Sequence, residues 1–346
     1  KSPEFKKKFG PRGVINSSAD GKIEDTGPLT RKRMETIDEE VNVKALDFMD
    51  RATTADKPFF LWWNSTRMHV FTHLKKESQG KTGLGVYADG MVEHDAMVGQ
   101  LLDKLKELGI EDNTIVMYST DNGAETFTWP DGGTTMFRGE KATNWEGGWR
   151  VPTAIRWPGV IKPGTVINDI GAHEDMLPTL LAAAGQPNVK DELLKGKKVS
   201  NMNYKVHLDG YNLLPSLKGE AAKWPREEFL YWTDDGQVCA LRCNNWKMTF
   251  LRQDSEGFSV WQDPFTVLRA PLLCNLRMDP FERAQEENAM GFQRWNMEHM
   301  FTIAPAAAYV GQWLQSFREF PPRQKPGSFS LDRVMEAVTK PQSSGN

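Results

Sequence analysis

The sequence predicts an α/β fold: a mostly parallel central sheet flanked by helices, with a smaller C-terminal subdomain of antiparallel sheet plus helix. Two continuous apolar runs, residues 58–63 (PFFLWW) and 113–119 (NTIVMYS), are bounded by proline, turn or polar residues. That is the pattern of strands covered on both faces. Long stretches of helical periodicity alternate with them, as βαβ units require. Beyond about residue 205 the character changes to short β-rich runs separated by polar turns. The chain is therefore divided into an α/β domain over 1–205 and a small α+β subdomain with a tail over 206–346.

Residues 1–30 read as an irregular lead-in, with turn signals at Gly10-Pro11, Asp20-Gly21 and Gly27-Pro28. A helix is expected over about 30–52, where Ile37, Val41, Ala45, Phe48 and Ala52 form one stripe, and Asp56-Lys57-Pro58 stops it. After the first strand comes a loop, about 64–85, carrying His69 and His73. A second helix covers about 86–108, with Val98, Leu101, Leu102, Leu105 and Leu108 inward and Gly109 at its end. A Gly- and Trp-rich loop spans about 121–150, a third strand 151–157, and a helix 175–184 is closed by Gly185. The β-rich runs follow at 229–233, 238–243, 247–251 and 265–269, then a helix near 306–318 and a proline-rich tail.

Lys+Arg is 43 and Asp+Glu 46, a formal charge of −3, so there is no global pull toward nucleic acid or anionic lipid. No apolar stretch is long enough to span a membrane. The three cysteines cannot make a dense disulfide framework, though one disulfide in the C-terminal third is open. Cys239-x3-Cys243 is half of a zinc pattern with no second pair to complete it, and His69-x3-His73 lacks the glutamate of a zinc-protease helix.

Three short segments carry candidate chemistry. Ser119-Thr120-Asp121-Asn122-Gly123 follows a strand directly, and open α/β sheets bind ligands at carboxyl ends of strands. Asp121 and Asn122 supply hard oxygens suited to Ca2+ or Mg2+, although Asp-Asn-Gly is also an ordinary tight turn. Gly139-Glu140-Lys141, with Glu146-Gly147-Gly148 after it, places Lys141 in a glycine-rich loop as an anion clamp, or as a solvated surface lysine. His69, beyond the first strand, could donate a proton to a leaving oxygen or simply bond to backbone. Phe127, Trp129, Phe137, Trp145 and Trp149 could wall an apolar pocket or pack the loop on itself.

Together these words resemble the sulfatase family, arylsulfatase-like and within the alkaline-phosphatase-like superfamily. The matching text includes Lys57-Pro58-Phe59-Phe60-Leu61, Asp112-Asn113-Thr114-Ile115-Val116 leading to Asp121-Asn122-Gly123, and Gly139-Glu140-Lys141 through Arg150-Val151-Pro152. It continues with Asp175-Met176-Leu177-Pro178-Thr179-Leu180-Leu181, Ala240-Leu241-Arg242, Trp246-Lys247, and residues 276–282 (LRMDPFE). The resemblance covers about 55–285. It implies hydrolysis of small-molecule sulfate monoesters, with His69 and Lys141 contacting the sulfate and helping protonate the leaving oxygen. It also implies that Asp121 and Asn122 ligate a divalent metal, usually Ca2+.

The family's nucleophile is a formylglycine made within [Cys/Ser]-x-Pro-x-Arg, and no Cys or Ser of this sequence fits: Cys239-Ala240-Leu241-Arg242 lacks the proline and Ser2-Pro3 has the wrong spacing. The family's paired aspartates and its Gly-Lys-x-His segment are not found either. The chain opens on Lys1 rather than Met, without a signal segment. The expectation is a sulfatase lacking its N-terminal portion: inactive alone, with weak or absent metal binding, the missing segment being supplied in trans, or the piece refolding, or self-associating. Alternatives are a non-catalytic module descended from a sulfatase and a phosphate-ester or phosphonate hydrolase of the superfamily, the latter disfavoured by only six His. Periplasmic or secreted location is the family tendency, and the sequence does not assign a compartment.

Overall fold

The computed structural model describes residues 2–9, 13–285, 290–323 and 326–328. It divides into two compact units: residues 1–116 with 126–133, and 117–125 with 134–346.

The first unit opens with helix α1 (Pro3–Phe9) and a hairpin of β1 (Gly13–Ser17) and antiparallel β2 (Ile23–Pro28). Its turn closes where Gly21 N–H donates to the Ser18 carbonyl at 2.9 Å. Sequence reading takes this hairpin for irregular chain, because its turn residues are evident while its strands carry no apolar alternation. Helix α2 (Arg31–Met34) is capped by the Thr30 side chain. Two long helices follow, α3 (Ile37–Thr54) and α4 (Val86–Glu107). In α3 the buried face is Ile37, Asp38, Asn42, Ala45 and Met49, not the stripe through Val41 and Phe48. Two contacts rotate it: Asn42 donates to Gln100 of α4 at 2.7 Å, and Asp38 is drawn inward by Arg67 at 3.2 Å. At the end of α4, Gly109 adopts a φ of 66°. Its N–H donates to the Lys106 carbonyl and that of Ile110 to the Leu105 carbonyl, each at 3.0 Å, the paired bonds with which a left-handed glycine ends a helix.

Residues 58–63 form no helix and join no strand among the described residues. Phe59 packs edge-on against Phe48 and Trp63 stacks on His94, while Phe60 and Trp62 are 69% and 76% exposed. An apolar run is thus packed on one side only, whereas the sequence predicts a strand covered on both. The predicted parallel central sheet is accordingly not among the described elements. The sheets are small, and those with a defined register are antiparallel.

In the second unit β3 (Val116–Ser119), whose first residue still belongs to the first unit, has β4 (Thr153–Arg156) as its sheet neighbour. Between them lies the short helix α5 (Glu146–Trp149). Helix α6 (Met176–Ala183) ends at Gly185, then come α7 (Val189–Lys195), the two-stranded β5 (Lys197–Val199) and β6 (Met202–Tyr204), and α8 (Leu214–Leu217). The β-rich runs form one antiparallel meander: β7 (Glu228–Trp232), β8 (Val238–Cys243), β9 (Trp246–Arg252) and β10 (Thr266–Asn275). Its core is Tyr231, Cys239 and Ala240, with Trp149 and Phe229 packed on them. Helix α9 (Phe292–Glu298) stacks Trp295 on Trp246, and α10 (Ile303–Leu314) sets Trp313 against Trp232, before α11 (Ser316–Glu319). The predicted proline-rich tail is described at 321–323 and 326–328, without helix or strand, and its remainder lies outside the described residues. No helix among the described residues is long and apolar enough to cross a membrane.

Candidate active site

His69 belongs to the first unit, and its ring is exposed. Its backbone is fixed on both sides: its N–H donates to the Thr66 carbonyl at 2.9 Å, and its carbonyl accepts the Thr72 N–H at 3.0 Å. The preceding residues are pinned from below. Arg67 is buried and pairs with Asp38 of α3 at 3.2 Å and Glu93 of α4 at 2.8 Å. Asp38 also accepts the Thr66 N–H at 2.8 Å and hydroxyl at 3.1 Å. The Met68 carbonyl accepts the Trp129 indole N–H at 2.7 Å. An exposed imidazole therefore stands on a loop held rigid by buried charge.

Asp121, Asn122 and Lys141 belong to the second unit. At the end of β3, the Ser119 hydroxyl donates to the Pro152 carbonyl at 3.0 Å. Asp121 is exposed, and Asn122 uses its amide N–H on the Gly123 carbonyl at 2.8 Å, which leaves its side-chain oxygen as the available donor atom. Gly123 packs directly on the Gly147-Gly148 turn. Its N–H donates to the Gly148 carbonyl at 3.0 Å, and a Cβ added there would stand 1.8 Å from the Gly147 oxygen. Lys141 N–H then donates to the Ala124 carbonyl at 3.0 Å. Within this unit the structure thus brings three of the candidates onto two hydrogen-bonded segments.

The Lys141 ammonium lies 4.0 Å from the Glu125 carboxylate and 5.7 Å from the Trp261 ring centre. Sequence reading misses both partners. Glu125 could have been found as a second carboxylate four residues beyond Asp121, whereas Trp261 has no local signal. The loop aromatics are divided between the units, Phe127 and Trp129 in the first and Phe137, Trp145 and Trp149 in the second. Trp129 meets Tyr87 in the first unit; Trp145 is buried under Arg138, and Trp149 packs on Phe229 and Tyr231.

A hard divalent cation fits the donor chemistry of Asp121 and Asn122, a carboxylate beside an amide oxygen. Ca2+ takes about 6–8 oxygens, so two side chains are part of a ligand set rather than the whole of it. Among the described residues no group of three or more His, Cys, Asp or Glu forms a metal cluster, and Cys239, Cys243 and Cys274 are free thiols.

The family model described as Sulfatase matches residues 5–186. The chain belongs to the sulfatase family. Among this chain's relatives, human (Homo sapiens) arylsulfatase A is 34% identical over 250 residues, covering 69% of this chain and 46% of that protein. Human steryl-sulfatase is 31% identical over 214 residues, covering 60% and 34% respectively. The crystal structure of the PsFucS1 sulfatase from Pseudoalteromonas sp. superposes with a TM-score of 0.73 at 26% identity, covering 92% of this chain and 60% of that one. The chain spans about half the length, or less, of the curated relatives it matches. All four predicted site residues lie inside the matched family region.

Proposed function

We propose that this chain carries part of the active site of an arylsulfatase-like sulfuric ester hydrolase acting on small-molecule sulfate monoesters. The observation that supports it most is the 3.0 Å bond from Lys141 N–H to the Ala124 carbonyl, which anchors the lysine loop to the segment bearing Asp121 and Asn122. In this reading Asp121 and Asn122 hold a divalent cation, Ca2+ or Mg2+. A cation there supplies positive charge for the sulfuryl oxygens. Lys141 binds the sulfate through its ammonium, which the Glu125 carboxylate 4.0 Å away helps to orient. His69 donates a proton to the ester oxygen as its bond to sulfur breaks, so the alcohol departs neutral.

The nucleophile motif is not in this sequence. The 346-residue chain alone is therefore proposed to be inactive, with weak cation binding, and to be completed by a nucleophile-bearing segment in trans or by self-association. The parallel central sheet belongs to the same reading, and the apolar run 58–63 is its candidate member.

A chromogenic aryl sulfate tests the proposal. The chain alone should release no phenol, and robust turnover by it would overturn the incompleteness. Once the chain is joined to a segment bearing the nucleophile motif, His69→Ala and Lys141→Ala should each lower kcat/KM by about 10²–10⁴. Undiminished turnover would remove the assigned roles.

A further inference from the structure

We infer that Lys247 is a positioning residue that fixes where Lys141 presents its ammonium. The inference rests on the sulfate-binding role proposed for Lys141. Of residues 140–148, all are buried except Lys141 and Ala142. The turn that carries them is closed by the Thr143 N–H on the Glu140 carbonyl at 3.1 Å and by the Thr143 hydroxyl on the same oxygen at 2.6 Å. Lys141 thus stands at the outer tip of a loop whose inner end is Asn144–Glu146 by sequence, and that inner end is what Lys247 holds.

Lys247 lies on β9 with its side chain wholly removed from solvent. Its ammonium reaches the Asn144 carbonyl at 2.7 Å, the Glu146 carboxylate at 3.2 Å and the Glu282 carboxylate at 2.8 Å. Glu282 closes the ring by accepting the Glu146 N–H at 2.8 Å, and its own carbonyl accepts Arg138 at 3.0 Å. Asn144 adds a bond from the Gln253 N–H at 3.0 Å. The inner end of the loop is therefore bound to β9 and to the 276–282 turn, while Gly123 and Ala124 are bound to its other side.

An ion pair taken out of water is a poor source of stability, because the desolvation cost offsets the attraction and an apolar side chain of like volume often does as well. What such a pair supplies is a single permitted arrangement, since a displaced ammonium would take from the buried Glu282 carboxylate the cation 2.8 Å from it and from Glu146 one of its three cationic partners. At this place the arrangement it permits is the register of the Lys141 turn.

The test compares the full chain with its Lys247→Met, Glu282→Gln and Lys141→Ala variants by two readouts. Affinity for inorganic sulfate is read by calorimetry. Amide exchange is followed at Lys141, whose N–H bonds Ala124, and at the β7–β8 ladder as reference. Lys247→Met should weaken sulfate binding by about tenfold or more, close to the effect of Lys141→Ala. It should also speed exchange at Lys141 by about tenfold or more and leave the β7–β8 amides unchanged. Glu282→Gln should shift both readouts in the same direction, and it decides the matter should the methionine variant fail to fold. Unaltered exchange at Lys141, or equal acceleration in the β7–β8 ladder, would overturn the positioning role. Sulfate affinity indifferent to Lys141→Ala would instead overturn the sulfate-binding reading, with the exchange measurement still deciding on Lys247.

Discussion

The Arg67 guanidinium lies 3.2 Å from the Asp38 carboxylate, and the two side chains are 2% and 1% exposed. Glu93 takes another guanidinium nitrogen at 2.8 Å, so a single arginine joins the first turn of α3 to α4 and to the loop that carries His69. Removing the cation while leaving both carboxylates inside is the costly way to break such a group. Arg67→Met is expected to lower the unfolding free energy by about 3–5 kcal/mol. Urea denaturation followed by circular dichroism measures it, and a midpoint equal to that of the unaltered protein would contradict the account.

Glu146 governs the acid limb of stability in the second unit. Burial by itself pushes its carboxyl up, but Lys247, Arg242, the Tyr231 hydroxyl and Arg150 outweigh burial and hold it down at about 2, from an ordinary value of 4.5. Glu282 goes the other way: burial raises it, Lys247 opposes, and the neighbouring Glu146 charge raises it further. Lys247 is nearer to Glu282, at 2.8 Å against 3.2 Å. The difference arises because Glu146 also accepts from Tyr231 at 2.6 Å, Arg150 at 2.7 Å and Arg242 at 3.1 Å. A carboxyl whose value is depressed on folding contributes stability that is fully present above its unfolded value and is lost as pH falls through the folded one. The Glu146 contribution is thus intact above about 4.5 and disappears between there and about 2. Glu282, being raised, acts above that window: the cost of its buried charge is relieved as pH falls toward 4.5, because its protonated form favours the fold. Unfolding midpoints taken across this window should fall less steeply for Glu146→Gln than for the unaltered chain. Parallel slopes would refute the assignment.

What the sequence makes legible, and what it hides, divides along local and distant chemistry. The end of α4 at Gly109 is readable because the stop signal sits beside the periodic run it ends. The Asp121-Asn122-Gly123 and Gly139-Glu140-Lys141 turns are readable for the same reason: glycine and hard donors are adjacent in the chain. Arg67, Lys247, Glu146 and Glu282 look like surface charges in sequence, and only folding brings them inside, from segments that share no local pattern. The buried face of α3 is read only in part for that reason too: Ile37 and Ala45 of the expected stripe are buried, but its polar members are not foreseen. Its stripe runs through Asp38 and Asn42, whose partners Arg67 and Gln100 come from elsewhere in the chain, while Val41, an apolar member of the expected stripe, stays 36% exposed.

The three thiols should be nearly inert in the folded chain. Cys239 has no exposure, and burial pushes its thiol up to about 12. Cys243 is raised by burial and then by Glu228, and Cys274 by burial and then by Glu282. Since the thiolate is the nucleophile, alkylation by iodoacetamide at about pH 8 should be slow in the native protein. Cys243, partly exposed on its strand, should react before Cys239, and all three should react in guanidinium. Mass spectrometry of the alkylated peptides reads the order, and fast labelling of native Cys239 would show that its surroundings are not as described.

Two glycines separate steric need from mere presence. At Gly123 a Cβ would meet the Gly147 oxygen at 1.8 Å and the Gly148 carbonyl carbon at 2.8 Å, both backbone atoms that cannot swing aside. Gly123→Ala must therefore push the Gly147-Gly148 turn outward, at an overpacking cost of about 1–3 kcal/mol, and should disturb the Lys141 to Ala124 bond with it. Gly99, inside α4, has nothing within 4 Å of the added atom. There the only change is the helix preference of alanine over glycine, so Gly99→Ala should stabilise by about 0.5–1 kcal/mol. Thermal midpoints that move in opposite directions for the two variants agree with this packing. A tolerated Gly123→Ala would mean that the Asp121-Asn122 segment and the lysine loop are not seated on one another.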